Sequence, residues 1–576
     1  MRKERAASAL PPALPGLDLP AALEELREED VARRLWARDP SLWKSDPAVQ
    51  NAIRNRLGWL DLPSTMGARL DELRALVREF RKSGFRDAVL LGMGGSSLCP
   101  EVLRQVFGTA PGFLRLTVLD TTDPGALRAA SRGLNLRRTL FVVSSKSGGT
   151  IEVASLFSHF WARIEKGMRA GAGRRFIAIT DPGTALETLA RERGFRAVFR
   201  APPDVGGRYS ALTFFGLLPA ALLGLDLDKF LERADRMARA SGPDVPPPAN
   251  PAVWLGAVFG AAVEAGRDKL TLLTSPELRA FGLWAEQLVA ESTGKEGTGL
   301  VPAESEPFDP SEVDGRDRLF IHLGLRGAKG ASALEKALRR LEAAGHPVVR
   351  LELADRYDLA AEFFRWEAAT AVSGQLLGIN PFDEPNVAES KANTTRILAQ
   401  YEAARTLPEE PPALSAGGLK LWRAGVSSAA VEIPQALEEF FQAARPGDYV
   451  ALMAYVTPTK ANHEALQRFR RILGEIAGRA TTLGYGPRFL HSTGQLHKGG
   501  AANGLFLQFT SEDGEDADIP GAAYGFSILK RAQALGDFQA LREHGRRVLR
   551  LHLSKNVARD LASLSAKLKF PAVAGT

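Results

Sequence analysis

Residues 86–108 read RDAVLLGMGGSSLCPEVLRQVFG, and the architecture of the chain can be worked out from them. A short apolar run ends in glycines and passes straight into helical spacing, the pattern of a strand that turns directly into a helix. Outward from it the alternation repeats: LRLTVLD at 114–120, RTLFVVSSKSGG at 138–149, a helix from about 150 to 169, and RFIAITD at 175–181. Strands alternating with helices predict an α/β protein with a doubly wound, mostly parallel sheet. Its ligands should sit beyond the carboxyl ends of the strands.

Two breaks organise the rest. SGPDVPPPANP at 241–251 precedes strand candidates at 269–273, 319–325 and 347–353, and LPEEPPALSAGGL at 407–419 precedes YVALMAYV, a helical 461–478, GLFLQFT and VLRLHL. The spacing therefore predicts an N-terminal extension with helices over 1–62, a first doubly wound domain over 63–245, and a second over 250–576. Within the last, 419–576 is a displaced or additional C-terminal segment.

Composition narrows the function classes. Across 576 residues, 45% hydrophobic and 24% charged side chains exclude a mainly disordered chain. The surplus of 74 basic over 67 acidic residues is only +7, too thin for a nucleic-acid tail and compatible with an anionic small molecule. One cysteine, Cys99, permits neither an internal disulfide nor a multi-thiolate metal site, and no HExxH pair is present. No metal and no cofactor are expected. The first twenty residues carry prolines where a secretory signal needs an apolar run, so they read as a flexible lead-in; no stretch is long enough to cross a bilayer, and the expected location is the cytoplasm.

Both glycine-rich turns of the first unit follow strands and open helices, where backbone N–H groups and the helix dipole collect anions. Gly92-Met93-Gly94-Gly95-Ser96-Ser97 approaches a dinucleotide fingerprint, with Asp120 as the acidic partner, but Ser97 stands where the third glycine belongs. Ser144-Ser145-Lys146-Ser147-Gly148-Gly149-Thr150 offers hydroxyls and a cation that suit a terminal phosphate; plain strand-to-helix turns with Ser and Thr caps are the bland alternative. Further on, VGGRYS places Arg208 behind two glycines. In EQLVAESTGK, Glu291 ends an apolar helical stretch, where partial burial would raise its pKa toward that of a general base; an ordinary helix end at Gly294 is the other reading. LHSTGQ sets His491 between a strand and a glycine loop, and His491 and His497 have the most site-like surroundings of the eight histidines.

With LLGMGGSSL, VVSSKSGGTIE, VGGRYS, EQLVAESTGK, INPFDEPNVAESK and LHSTGQ in order over residues 90–495, the chain resembles the phosphoglucose isomerase family, and within it the isomerase part of bacterial bifunctional transaldolase/isomerase proteins. Too few residues precede the first sheet for a transaldolase barrel, so no transaldolase activity is expected. The resemblance implies two flavodoxin-like sugar-isomerase (SIS) domains and reversible isomerisation of glucose 6-phosphate and fructose 6-phosphate, in glycolysis and gluconeogenesis, by a homodimer. It implies phosphate contacts from Gly95, Ser96, Ser145, Lys146, Ser147 and Thr150. Glu291 becomes the base between C1 and C2, with Gln287 nearby and Arg208 facing the enediolate, while His491 and Lys391 open the ring.

Two departures stand out. Glu384 replaces the family's usual glutamine, putting a negative charge near an anionic ligand that Lys391 or another cation must offset. His491 follows Lys391 in the chain, whereas the family's histidine normally precedes the lysine motif and comes from the neighbouring subunit. Rival readings are a dual phosphoglucose/phosphomannose isomerase, a non-catalytic phosphosugar-binding SIS protein, and an NAD-dependent oxidoreductase.

Overall fold

The computed structural model describes residues 14–168, 171–310, 316–426 and 428–569. The expected lead-in falls partly on residues 1–13, outside that range. From Leu14 onward the chain is packed: Leu14 and Leu19 are buried, and Asp18 caps helix Leu19–Glu28 by accepting from Ala21 N, with Pro20 in its first turn.

Three sheets follow. The first holds β1 (Asp87–Gly92), β2 (Arg115–Leu119), β3 (Thr139–Ser144), β4 (Phe176–Thr180) and β5 (Ala197–Arg200), all parallel, in the order β2-β1-β3-β4-β5. The chain winds one way from β1 to β2 and the other way from β3 to β5, so the β1 and β3 carboxyl ends form the switch point where such sheets bind ligands. Both glycine-rich turns leave those two ends. The second sheet is parallel throughout, with β6 (Lys269–Thr274), β7 (Val301–Glu304), β8 (Arg318–Leu325) and β9 (Val348–Leu353) in the order β7-β6-β8-β9.

Residues 414–553 build a third sheet: β10 (Leu414–Ala416), β11 (Leu419–Ala424), β12 (Tyr449–Tyr455), β13 (Ala480–Tyr485), β14 (Gly504–Ser511) and β15 (Arg547–Leu553). Its order is β10-β11-β15-β14-β12-β13, parallel from β15 to β13 and antiparallel at the β10-β11 edge.

Packing explains how three sheets make one site. The face of the first sheet bearing Ala88, Leu90, Leu140, Val142 and Ile177 shares a core with the N-terminal helices and the second sheet. The opposite face, with Val89, Leu91, Phe141 and Val143, packs on Phe526, Leu529, Ala532 and Leu535 of helix Phe526–Glu543. The same helix turns Ala534, Phe538 and Leu541 to the third sheet. At ~1.5–3 kcal/mol for each fully buried large apolar side chain, the helix locks the C-terminal sheet to the first. The Pro-rich break at 241–251 ends where Asn250 caps helix Pro251–Glu264. No helix among the described residues is long and apolar enough to cross a membrane.

Candidate active site

Helix Phe281–Thr293 positions the central carboxylate. Residues 287 and 291 are one turn apart, so both project from one face, and Gln287 Nε2 donates to Glu291 Oε2 at 2.9 Å and to the backbone oxygen of His491 at 2.8 Å. The buried Oε1 of Gln287 has no hydrogen-bond partner among the described residues. Opposite stands Arg208, buried at 3% exposure, its Nη1 3.2 Å from Glu291 Oε1 and 2.9 Å from Glu384 Oε2. Its remaining donors go to Ser292 Oγ (2.7 Å) and to the carbonyls of Pro381 (2.9 Å) and Asp383 (2.8 Å).

Electrostatics separate the two carboxylates that share this arginine. Burial pushes Glu291 above the usual carboxylate range despite the opposing pull of Arg208, and the charge of Glu384 adds to the rise. Burial also works against Glu384, but Arg208 outweighs it and leaves that group below its ordinary value. The cation that meets Glu384 is thus Arg208, not Lys391. Lys295 stands next to it, pushed down to about 8 by burial and by Arg208, with Asp383 at 2.8 Å pulling the other way.

The glycine loop after β1 is pressed against these groups. A Cβ on Gly95 would lie 1.9 Å from Gly207 O, and Gly94, at φ +53°, leaves room for only the Gln287 amide and the His491 backbone. Ser96 is buried and its carbonyl accepts from Ser144 Oγ at 3.0 Å, so Gly95 and Ser96 fix the approach of the loops.

A second cluster faces a cavity of about 140 Å³ whose lining includes Ser147, Thr150, Glu152, Lys391, His491 and Gln533. His491 Nε2 lies 2.9 Å from Glu152 Oε1, which also accepts from Gln533 Nε2 at 2.8 Å. Thr122 Oγ1 donates to Gln533 Oε1 at 2.7 Å and thereby fixes which end of that amide meets Glu152. Burial opposes the charge on Glu152, yet His491 overcomes it and holds the carboxyl below its usual range. Ser145 Oγ reaches Thr150 Oγ1 at 3.0 Å.

The expected residues therefore fall into two groups joined through His491, whose ring meets the cavity and whose backbone is held by the amide that holds Glu291. Lys146 lies apart. Its Nζ pairs with Asp181 Oδ2 at 2.5 Å, it is not among the cavity's lining residues, and burial lowers its pKa. His497 is a core residue, its ring against Phe489 and Phe506 and its pKa driven far down by burial. Asp120, the acidic residue a dinucleotide site would use, is held by Arg488 at 2.7 and 2.8 Å. Glu152, Gln533 and Thr122 are additions to the expected set. Among the described residues, no cluster of three or more His, Cys, Asp or Glu side chains has metal-holding geometry.

The phosphoglucose isomerase family model matches residues 73–301. The glucose-6-phosphate isomerase of Symbiobacterium thermophilum is 32% identical over 410 residues, covering 61% of this chain and 89% of that protein; the one from Leptospira interrogans is 28% identical over 416 residues, covering 62% and 92%. Among solved structures, a hypothetical protein from Thermus thermophilus aligns with a TM-score of 0.56 at 27% identity, over 66% of this chain and 97% of that one. A glucose-6-phosphate isomerase from Chlamydia trachomatis shares the fold, with a TM-score of 0.52 at 18% identity over 67% of this chain and 86% of that one. On its sequence identity to these isomerases over nearly their whole length, the chain belongs to the phosphoglucose isomerase family.

Proposed function

We propose that the protein interconverts D-glucose 6-phosphate and D-fructose 6-phosphate through an enediolate. The observation that carries this reading is the Gln287 amide, which ties Glu291 and the His491 backbone together at 2.9 and 2.8 Å beside a loop rich in hydroxyls. Aldose–ketose isomerisation needs a base over the C1–C2 bond, positive charge where the enediolate oxygens form, and a group that opens the ring.

In this reading the phosphate docks on Ser145, Ser147 and Thr150 at the start of helix Ile151–Met168, where the dipole favours a dianion. Lys146 joins only by releasing Asp181. Gly95 and Ser96 contribute through the loop backbone. Because Nε2 of His491 faces Glu152, Nδ1 is the ring atom free to serve the sugar, and Lys391 shares the proton transfer of ring opening. Glu291, raised by burial, takes the proton from one carbon and returns it to the next, and Arg208 supplies fixed positive charge from its buried seat. The hydrogen leaves and returns as a proton, so the chemistry calls for no redox cofactor.

His491 meets Glu152 within one chain, and in this reading its imidazole serves the cleft of its own subunit. A coupled assay for glucose 6-phosphate formed from fructose 6-phosphate, run with chelator present, tests the reading. Turnover is expected to be unaffected by the chelator, and its absence overturns the proposal.

A further inference from the structure

At the β11–β15 edge of the third sheet, charged side chains lie beside the core. Leu421, Leu549, Leu551, Leu507 and Phe509 point into the apolar cluster beneath helices Ile433–Gln442 and Lys460–Ala477. Their neighbours alternate to the opposite face. There the register sets Trp422 beside Arg550 and Lys420 beside His552 across β11 and β15, and Thr510 of β14 beside His552.

Arg550 is the anomaly. It is 4% exposed, it stacks on Trp422 with 3.9 Å from guanidinium carbon to ring centroid, and it donates no hydrogen bond to any described residue. Its buried Nε is unpartnered. A guanidinium has five N–H donors in a rigid fork, and a donor left buried without an acceptor has lost its hydration with nothing in return. Burial accordingly pushes its pKa down to about 10, with Glu409 pulling it back up.

The guanidinium lines a cavity of about 70 Å³ together with Lys420, Arg531, His552, Thr510 and Glu409. That is several times the ~10–15 Å³ one water needs. Glu409 is the only acid in the lining, and it is already engaged by Arg531 at 2.9 Å. Glu410 beside it is paired with Arg542 at 2.8 Å. Lys420 and Arg550 are left as two uncompensated cations. His552, whose Nδ1 lies 2.9 Å from Thr510 Oγ1, is lowered in pKa first by burial and then by Arg531, a response to the same positive field. Two unmatched cations, a forked donor and a hydroxyl suit a tetrahedral dianion; a carboxylate would neutralise only one charge.

We propose that this cavity is a second anion site, separate from the sugar-phosphate cleft, that takes inorganic phosphate or the phosphate end of a monoester between Arg550, Lys420, Arg531 and His552.

The test is the titration of the His552 ring by NMR in the full chain, with and without inorganic phosphate, against chloride at equal ionic strength and with His552→Gln assigning the signal. Phosphate should raise the apparent pKa of His552, since a bound dianion favours the imidazolium. Arg550→Met should abolish the shift. Lys420→Gln, at an exposed position where folding is safe, should weaken phosphate binding by about tenfold. A paired Ser147→Ala and Thr150→Val variant, altered only in the other cleft, should leave the shift intact. Ethyl phosphate distinguishes the source: tighter binding than inorganic phosphate assigns the site to a monoester, and equal or weaker binding to the free ion. A His552 that responds no more to phosphate than to chloride, or a shift that survives both Arg550→Met and Lys420→Gln, overturns the proposal and leaves Arg550 satisfied by water.

Discussion

Around Arg208, two carboxylates crowd within 3.2 Å, and every donor group of the guanidinium is spent on Glu291, Glu384, Ser292 or a backbone carbonyl. Around His491, one carboxylate oxygen accepts from a ring and from an amide whose own orientation depends on a single threonine hydroxyl. The first arrangement is redundant, so its geometry survives the loss of one contact, but its charges are so strongly coupled that removing the cation is costly. The second is serial. Each member there orients the next, and the expected cost of a deletion is kinetic more than structural.

The largest effect should come from Glu291→Gln, which keeps the shape and the hydrogen bond to Gln287 but removes the base. Turnover should fall by about 10²–10⁴ or more with little change in inhibitor affinity; a near-normal rate would displace Glu291 from its role. Next is Arg208→Met, which leaves Glu291 and Glu384 facing each other without their cation. The urea midpoint should drop by the equivalent of ~3–5 kcal/mol, and an unchanged midpoint would show that the cluster is not coupled as described.

A smaller and more selective loss is expected for Gln533→Leu, since a hydrogen bond to a charged group is worth about 1.5–3 kcal/mol. It should slow the cyclic sugar by about tenfold or more while sparing the open-chain form, and equal losses on both would mean that the amide serves stability alone. The smallest change should follow Glu384→Gln. Because the charge of Glu384 raises the pKa of Glu291, removing it lowers that pKa, and the acid limb of the kcat/KM profile should move to lower pH. Movement in the opposite direction would contradict the coupling.

Much of this was legible in the chain itself. The glycine turns after β1 and β3, the apolar helix that ends at Glu291, and Arg208 behind Gly206-Gly207 all lie where local pattern and chemistry agree. Strands β5, β7, β11 and β13 gave weaker signals: β5 and β7 span only four residues each, and ATTLGY mixes polar with apolar side chains. Glu152 was hidden because an acidic residue in the first turn of helix Ile151–Met168 reads as an ordinary dipole partner. Gln533 was hidden for a related reason. Lys530, Gln533 and Asp537 repeat at helical spacing like a solvated face, yet all three are buried, on Asp123, Glu152 and Lys498. The engagement of Lys146 by Asp181 depends on the pairing of β3 with β4, which spacing alone cannot reveal.

The position of His491, 204 residues after Gln287, has a consequence for biosynthesis. At ~5–20 residues per second, the ribosome releases the carboxylate side of the cleft about 10–40 s before its imidazole, and the Gln533 amide later still. A nascent chain that has not reached His491, or one clipped ahead of β13, would therefore hold sugar-phosphate loops without the imidazole that opens the ring, and one clipped ahead of helix Phe526–Glu543 would keep the imidazole but lack the Gln533 amide. Competence is conferred by the last sheet to be made.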